Sequence, residues 1–519
     1  KRALFYKALF FYVYFWVMKY LFQILTINLL LLVGCKNDTD YIVEKDDSKI
    51  YTSFEKIESS HSNIDFINKI TPSFDNKANL FDYDYFYNGS GVGVADFNND
   101  GLKDIILTAN QTENKIYVNK GGLVFEDISI DANINQNKKW SSGVAIADVN
   151  NDGWMDIYIS QGGPNSADDR KNLLYINQKD LTFKEQAQEY GLDDEGISTQ
   201  SAFFDFDKDG DLDCLVMNEN SYYGIDPLKF YTILKDKEKL KLNSSQLYEQ
   251  VNGKFINITE KAGLLKPSFG LGLCISDINN DNWLDIYIAN DYYVPDAMYI
   301  NNKNGTFSDK IKQNTKQVSF FGMGVDIADI NNDNLKDIFV LDMASSDHIR
   351  SKTLMASMSV SNFDLLTKKL NLPYQYMFNS LQLNMGESKF HNIAQVSGLS
   401  KTDWSWAGLI FDYNNDSNED IYITNGYRKY ASDNDSRIRI NKIKQQYNNK
   451  VPLKIKEDLY NMLPSEKLAN ILYENNGTLK FKDVTSYSDL NQPSFSNGAA
   501  YADLDNDGDL DLIINNIDQ

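Results

Sequence analysis

Seven times between residues 96 and 511 the chain repeats one nine-residue acidic pattern, and a fold for it must be built around that repetition. The copies read DFNNDGLKD from Asp96, DVNNDGWMD from Asp148, DFDKDGDLD from Asp205, DINNDNWLD from Asp277, DINNDNLKD from Asp329, DYNNDSNED from Asp412 and DLDNDGDLD from Asp503. Positions 1, 5 and 9 are Asp throughout, and position 3 is Asp or Asn. Position 6 is Gly in four copies and Asn282, Asn334 or Ser417 in the others. Gly and Asn tolerate the left-handed backbone that a sharp loop needs; Ser does so less easily.

Oxygen donors at alternate positions of a tight loop converge on one centre, and several carboxylates around one point repel each other unless a hard cation sits there. Calcium, which takes about six to eight oxygens in flexible geometry, suits that demand better than the stricter magnesium octahedron. The candidate ligands are Asp96, Asn98, Asp100 and Asp104; Asp148, Asn150, Asp152 and Asp156; Asp205, Asp207, Asp209 and Asp213; Asp277, Asn279, Asp281 and Asp285. The remaining three loops offer Asp329, Asn331, Asp333 and Asp337; Asp412, Asn414, Asp416 and Asp420; Asp503, Asp505, Asp507 and Asp511, for up to seven Ca²⁺ in all. The competing reading, that Asp, Asn and Gly only punctuate hairpins, weakens with each copy that keeps the same four positions. An EF-hand needs an acid at position 12 and flanking helices. Here position 12 is Leu107, Ile159, Val216, Ile288, Val340, Ile423 or Ile514, and β-prone runs lie on both sides of each loop. The loop joins two strands.

Strand, D-x-[DN]-x-D-G-x-x-D, strand resembles the FG-GAP or VCBS repeat. The runs NKIYVNKGGLVFEDIS, NLLYINQKDLTFKEQA and ILYENNGTLKFKDVT, with Trp140 and Gly143 ahead of a loop, resemble more narrowly the cartilage acidic protein and ASPIC/UnbV group. The resemblance implies an all-β, seven-bladed β-propeller over residues 54–519, with calcium in the inter-strand loops and small helical insertions. It also implies a small further β domain after residue 519. Six units end in a Phe-led strand, and the seventh does not. Phe54-Glu55-Lys56-Ile57 has the missing pattern and is expected to complete the last blade, which would still lack its Tyr-x-Asn strand.

Loop-to-loop spacings of 52, 57, 72, 52, 83 and 91 residues place extra sequence at about 220–246, 342–378 and 426–470. These lie at equivalent points of their units, so they are expected on one face, with helix within 351–370 and 435–463. Such excursions from a rigid scaffold either carry binding, or only cap the ring or pack on the further domain.

Residues 1–34 hold four basic residues, no acid and a long apolar run, which reads as an export signal with Met18 as its expected start. Leu32-Val33-Gly34-Cys35 resembles a bacterial lipobox, with Cys35 the lipidated residue and 36–53 a polar tether; a transmembrane anchor is the alternative. The expected place is the outer membrane of a Gram-negative bacterium, reached through the lipid alone. Cys214 and Cys274 lie in strand-like runs and are expected to be buried thiols. With 51 basic against 73 acidic residues, nucleic acid is excluded as a partner. The seven loops hold 25 Asp and Glu419 against Lys103, Lys208 and Lys336, so the acidity is concentrated where a metal is expected.

No nucleophile elbow, P-loop, dinucleotide fingerprint or zinc-protease motif is present. His348 and Arg350 form the one His/Arg pair in an insertion and are expected at the surface. Trp154, Trp283, Trp404 and Trp406 are expected to pack between blades in preference to stacking on a sugar. The chain reads as a calcium-binding surface module for a glycan or an envelope protein. A calcium-dependent polysaccharide-degrading enzyme and a structural part of an envelope complex are the alternatives.

Overall fold

The computed structural model describes residues 54–134, 139–353, 359–448 and 450–519. Cys35, the expected signal segment and the whole of the tether lie outside them. Among the described residues the repeats fold as six four-stranded antiparallel sheets and one two-stranded sheet. Sheet one is Val92–Ala95, Asp104–Leu107, Lys115–Asn119 and Phe125–Asp127, in sequence order, and the acidic loop is the hairpin between its first two strands. The register pairs Ala95 with Asp104, so position 9 of the loop opens the second strand.

The first strands of successive sheets are Val92–Ala95, Ser141–Ala147, Ser198–Phe204, Gly270–Ser276, Val325–Ala328, Ser405–Phe411 and Ser496–Ala502. Each contacts the next, and the last contacts the first, so the strands form a closed, propeller-like cycle. Glycine makes this approach possible. A Cβ on Gly324 would lie 2.0 Å from the carbonyl oxygen of Trp406, and one on Gly498 would lie 2.3 Å from that of Ser90.

The second strands of sheets one to six, such as Asp156–Gln161, are buried along their whole length, whereas Asp511–Asn516 of sheet seven is only partly buried; apolar slabs lie between the sheets. Ile106 and Ile157 share the slab between sheets one and two, Tyr158 and Cys214 that between two and three, and Leu215 and Ile286 the next. Ile105 meets Leu504 and Ile513 where sheet seven returns to sheet one. Each fully buried Leu or Ile contributes roughly 1.5–3 kcal/mol, so the slabs hold the sheets in their cycle. Cys214 is buried as expected, whereas Cys274 is only partly so.

Sheet seven has only Ser496–Ala502 and Asp511–Asn516. The 54–57 stretch forms no strand, which corrects the expectation that it pairs into this sheet: among the described residues no third strand lies between them to bridge the gap. Its side chain nevertheless occupies the equivalent place. Phe54 stacks on Tyr413, position 2 of loop six, at 5.8 Å. Phe183 likewise meets Phe97, and Phe307 meets Phe206, at position 2 of loops one and three.

The three insertions do gather on one face. Phe230 and Leu234 from the first, Leu366 from the second, and Tyr430, Ile440, Leu459 and Tyr460 from the third belong to one aromatic-rich cluster with Tyr83, Tyr85, Phe86 and Tyr87. The insertions supply helices Pro227–Ile233, Lys237–Lys241, Arg350–Thr353, Val360–Asp364, Asn434–Gln446 and Leu453–Asn461. Asp226, Asp236, Ser359 and Asp433 cap four of them through their side chains.

Candidate metal centres

Each acidic loop is held by its own backbone. In loop one the amides of Asp100 and Gly101 donate to the two carboxylate oxygens of Asp96 at 3.1 and 2.8 Å. The Asp100 amide also reaches Asn98 Oδ1 at 3.0 Å, and the Leu102 amide reaches Asp100 Oδ1 at 2.9 Å. Loop two repeats the set through Asp148, Asn150 and Asp152. Positions 1, 3 and 5 therefore turn their oxygens into the loop. Position 6 is left-handed in all seven, Ser417 included at φ 69°. So is position 4, filled by Asn in six copies and by Lys208 in one, a requirement the sequence reading did not identify.

Position 9 plays a second part. Both oxygens of Asp104 accept backbone amides, from Phe97 at 2.9 Å and Asn119 at 2.8 Å, and so clamp the loop to the third strand. Asp156, Asp213, Asp285 and Asp337 repeat this double clamp. Burial pushes the Asp104 carboxyl up to about 6 and that of Asp285 up to about 7; the two amide bonds oppose the shift, and the loop's other carboxylates add to it.

The donor set suits a hard cation. In loops three and seven, where position 3 is Asp, three carboxylates converge with their oxygens within 4.8 Å of one another. They are Asp205, Asp207 and Asp209 in one and Asp503, Asp505 and Asp511 in the other. The remaining loops replace one carboxylate with the neutral amide oxygen of Asn98, Asn150, Asn279, Asn331 or Asn414. Lys179 reaches Asp152 at 3.3 Å and Lys303 reaches Asp281 at 3.2 Å, so in loops two and four an ammonium group offsets part of the charge. Calcium bound at these loops would supply structural charge compensation, holding two strands and a turn at one point.

The loops are also tied to each other. Asn99 donates to the Gly153 carbonyl at 3.1 Å, Asn280 to Asn334 at 2.7 Å and Asn332 to Ser417 at 3.1 Å. Asn506 donates to Gly101 at 3.2 Å, joining loop seven to loop one. Lys208 lies 4.9 Å from the Trp283 ring and so bridges loops three and four by a cation–π contact. Trp283 and Trp154 are partly buried on this face. Trp404 stacks on Tyr427 at 4.0 Å on the opposite, insertion-bearing face, where the Trp406 indole donates to the Gly426 carbonyl at 2.7 Å.

Arg350 is not a surface residue. It forks onto both oxygens of Asp403 at 2.8 Å and also bonds the Tyr430 hydroxyl and Glu466, tying the second insertion to the third. His348 is exposed and takes no part in this contact.

No curated protein matches the chain. Among solved structures, the V. cholerae biofilm matrix protein Bap1 aligns at 16% identity over 50% of this chain and 35% of its own, with a TM-score of 0.27. BBS1N in complex with ARL6DN, soaked with lead, aligns at 8% identity over 64% of this chain and 88% of its own, with a TM-score of 0.31. The FG-GAP-like repeat model matches residues 73–159, 277–340 and 458–514, and the chain therefore carries FG-GAP-like repeats in these three regions of its propeller-like fold.

Proposed function

We propose that this protein is an exported, lipid-anchored, calcium-loaded binding module at a Gram-negative outer membrane, taking a glycan or another envelope protein as its partner. The observation that carries the reading is the division of the ring into two faces. One face holds the acidic loops, locked to each other by the Asn bonds. The other holds three insertions sharing one hydrophobic cluster, which gives a rigid scaffold a broad, irregular surface of the kind that binding proteins vary. Calcium at the loops is supported by the inward-turned oxygens and by their concentrated charge. Lipidation at Cys35 is supported by the lipobox resemblance alone.

The test is retention of the full chain, with calcium, on immobilised envelope polysaccharides and envelope protein fractions. Ile349 and Ile438 are exposed at 70% and 68% on the second and third insertions. The double variant Ile349→Asp, Ile438→Asp should keep the wild-type melting temperature and lose retention. Unchanged retention would remove the insertion face from the reading.

A further inference from the structure

The insertions are basic in an otherwise acidic protein. Together 220–246, 342–378 and 426–470 hold 19 Lys and Arg against 11 Asp and Glu, while the remainder of the chain holds 32 against 62. The excess is greatest in the third insertion, with 10 against five, and there the acids are already engaged. Glu457 and Asp458 pair with Lys454, Glu466 pairs with Arg350, and Asp433 caps its helix, which leaves Asp435. By contrast Arg437, Arg439, Lys442 and Lys444 on helix Asn434–Gln446, and Lys450 just beyond it, are exposed and make no ion pair among the described residues.

We infer that helix Asn434–Gln446 and the residues after it bind an acidic polysaccharide, whose carboxylate or sulfate groups meet Arg437, Arg439, Lys442, Lys444 and Lys450. This rests on the insertion face being the binding face, and it names the ligand chemistry. A run of unpaired cations spaced along one helix matches a polymer with a charge on every sugar or two. The acidic loops do not oppose it, since at physiological salt exposed charges are screened beyond about 8 Å. An anionic membrane is the weaker match, because a helix that inserts must offer a free apolar side. Here Ile440 is buried in the insertion cluster and Ile443 packs against it, so the apolar side is already used.

The experiment compares the full calcium-loaded chain on dextran sulfate, hyaluronate, uncharged dextran and vesicles containing anionic lipid. Retention is expected on the two acidic polymers, falling as salt rises, with none on uncharged dextran. The combined Arg437→Gln, Arg439→Gln, Lys442→Gln, Lys444→Gln variant should weaken it by about tenfold or more. Lys184→Gln, Lys316→Gln, Lys480→Gln, outside the insertions, should leave it unchanged. All these side chains are exposed, and an unaltered melting temperature checks the fold. Equal retention on uncharged dextran, binding to vesicles in place of polymers, or a quadruple variant that binds as wild type would each overturn the inference. If the quadruple variant binds as wild type while Ile349→Asp, Ile438→Asp abolishes retention, the charge inference fails and the insertion face stands.

Discussion

The side-chain amide of Asn119 donates to the carbonyl oxygen of Leu504 at 2.7 Å, joining the third strand of sheet one to the acidic loop of sheet seven across 385 residues. Its other N–H goes to the Lys103 carbonyl at 2.9 Å. Asn177, Asn301 and Asn475 repeat this double bond, each reaching back to position 2 of the preceding loop. Removing the amide leaves two carbonyl groups without that partner in a buried place, at a cost of roughly 1–3 kcal/mol. Asn119→Ala should therefore lower the urea midpoint at fixed calcium by an amount similar to Asn301→Ala. A wild-type midpoint for Asn119→Ala would show that ring closure does not depend on this bond.

Calcium binding should stabilise the folded chain by mass action, about 2.7 kcal/mol for one site at a hundredfold excess of free metal over Kd. A chelator should then lower the melting temperature. Loops three and seven, with three converging carboxylates, should hold metal most firmly, so Asp209→Ala and Asp505→Ala should each remove one equivalent from metal analysis of the folded protein. A metal content and melting temperature indifferent to chelator and to both variants would exclude the calcium reading.

Much of this was legible because the loop constrains its own residues. Positions 1, 3, 5 and 6 follow from oxygen convergence and backbone handedness, and the hairpin from the β-prone runs on either side. The clamp by Asp104 and its equivalents was less visible, because an Asp at position 9 satisfies a ligand pattern and a backbone-acceptor pattern equally well. The ties through Asn99, Asn332 and Asn506 connect loops at least 50 residues apart, and no local periodicity encodes such a pairing. Arg350 read as a surface residue because its partner Asp403 lies 53 positions away. The common face of the insertions, by contrast, followed from their equivalent positions in a repeating ring.

The Tyr83 hydroxyl donates to Glu219 at 2.5 Å under the insertion cluster, and the other carboxylate oxygen of Glu219 has no hydrogen-bond partner among the described residues. Burial raises this carboxyl to about 8, the Tyr83 bond opposes the shift, and nearby Asp291 adds to it. The folded value lies above the unfolded one, about 4.3. Between those values the folded state keeps a proton that the unfolded state has released, so this contribution is present in acid and is lost as pH rises toward about 8. Glu219→Gln should flatten the fall in stability between pH 5 and 8.5 and be the more stable protein at the upper end. Parallel wild-type and variant curves at fixed calcium would contradict it.

Two glycines separate steric from conformational demands. Gly508, position 6 of loop seven, has φ 96°, and none of the described residues comes within 4 Å of where a Cβ would sit. Gly508→Ala therefore meets only the left-handed penalty of about 1–2 kcal/mol. A Cβ on Gly324 would lie 2.0 Å from the Trp406 carbonyl oxygen, and a strand backbone in a closed cycle cannot yield without moving its neighbours. Gly324→Ala should cost about 3 kcal/mol or more and lower the urea midpoint further than Gly508→Ala. Because the cycle is continuous, a local shift at Gly324 must be absorbed by the other sheets, so its unfolding should stay a single cooperative transition. A separate early transition would instead mean that sheets five and six can part while the remaining sheets stay folded.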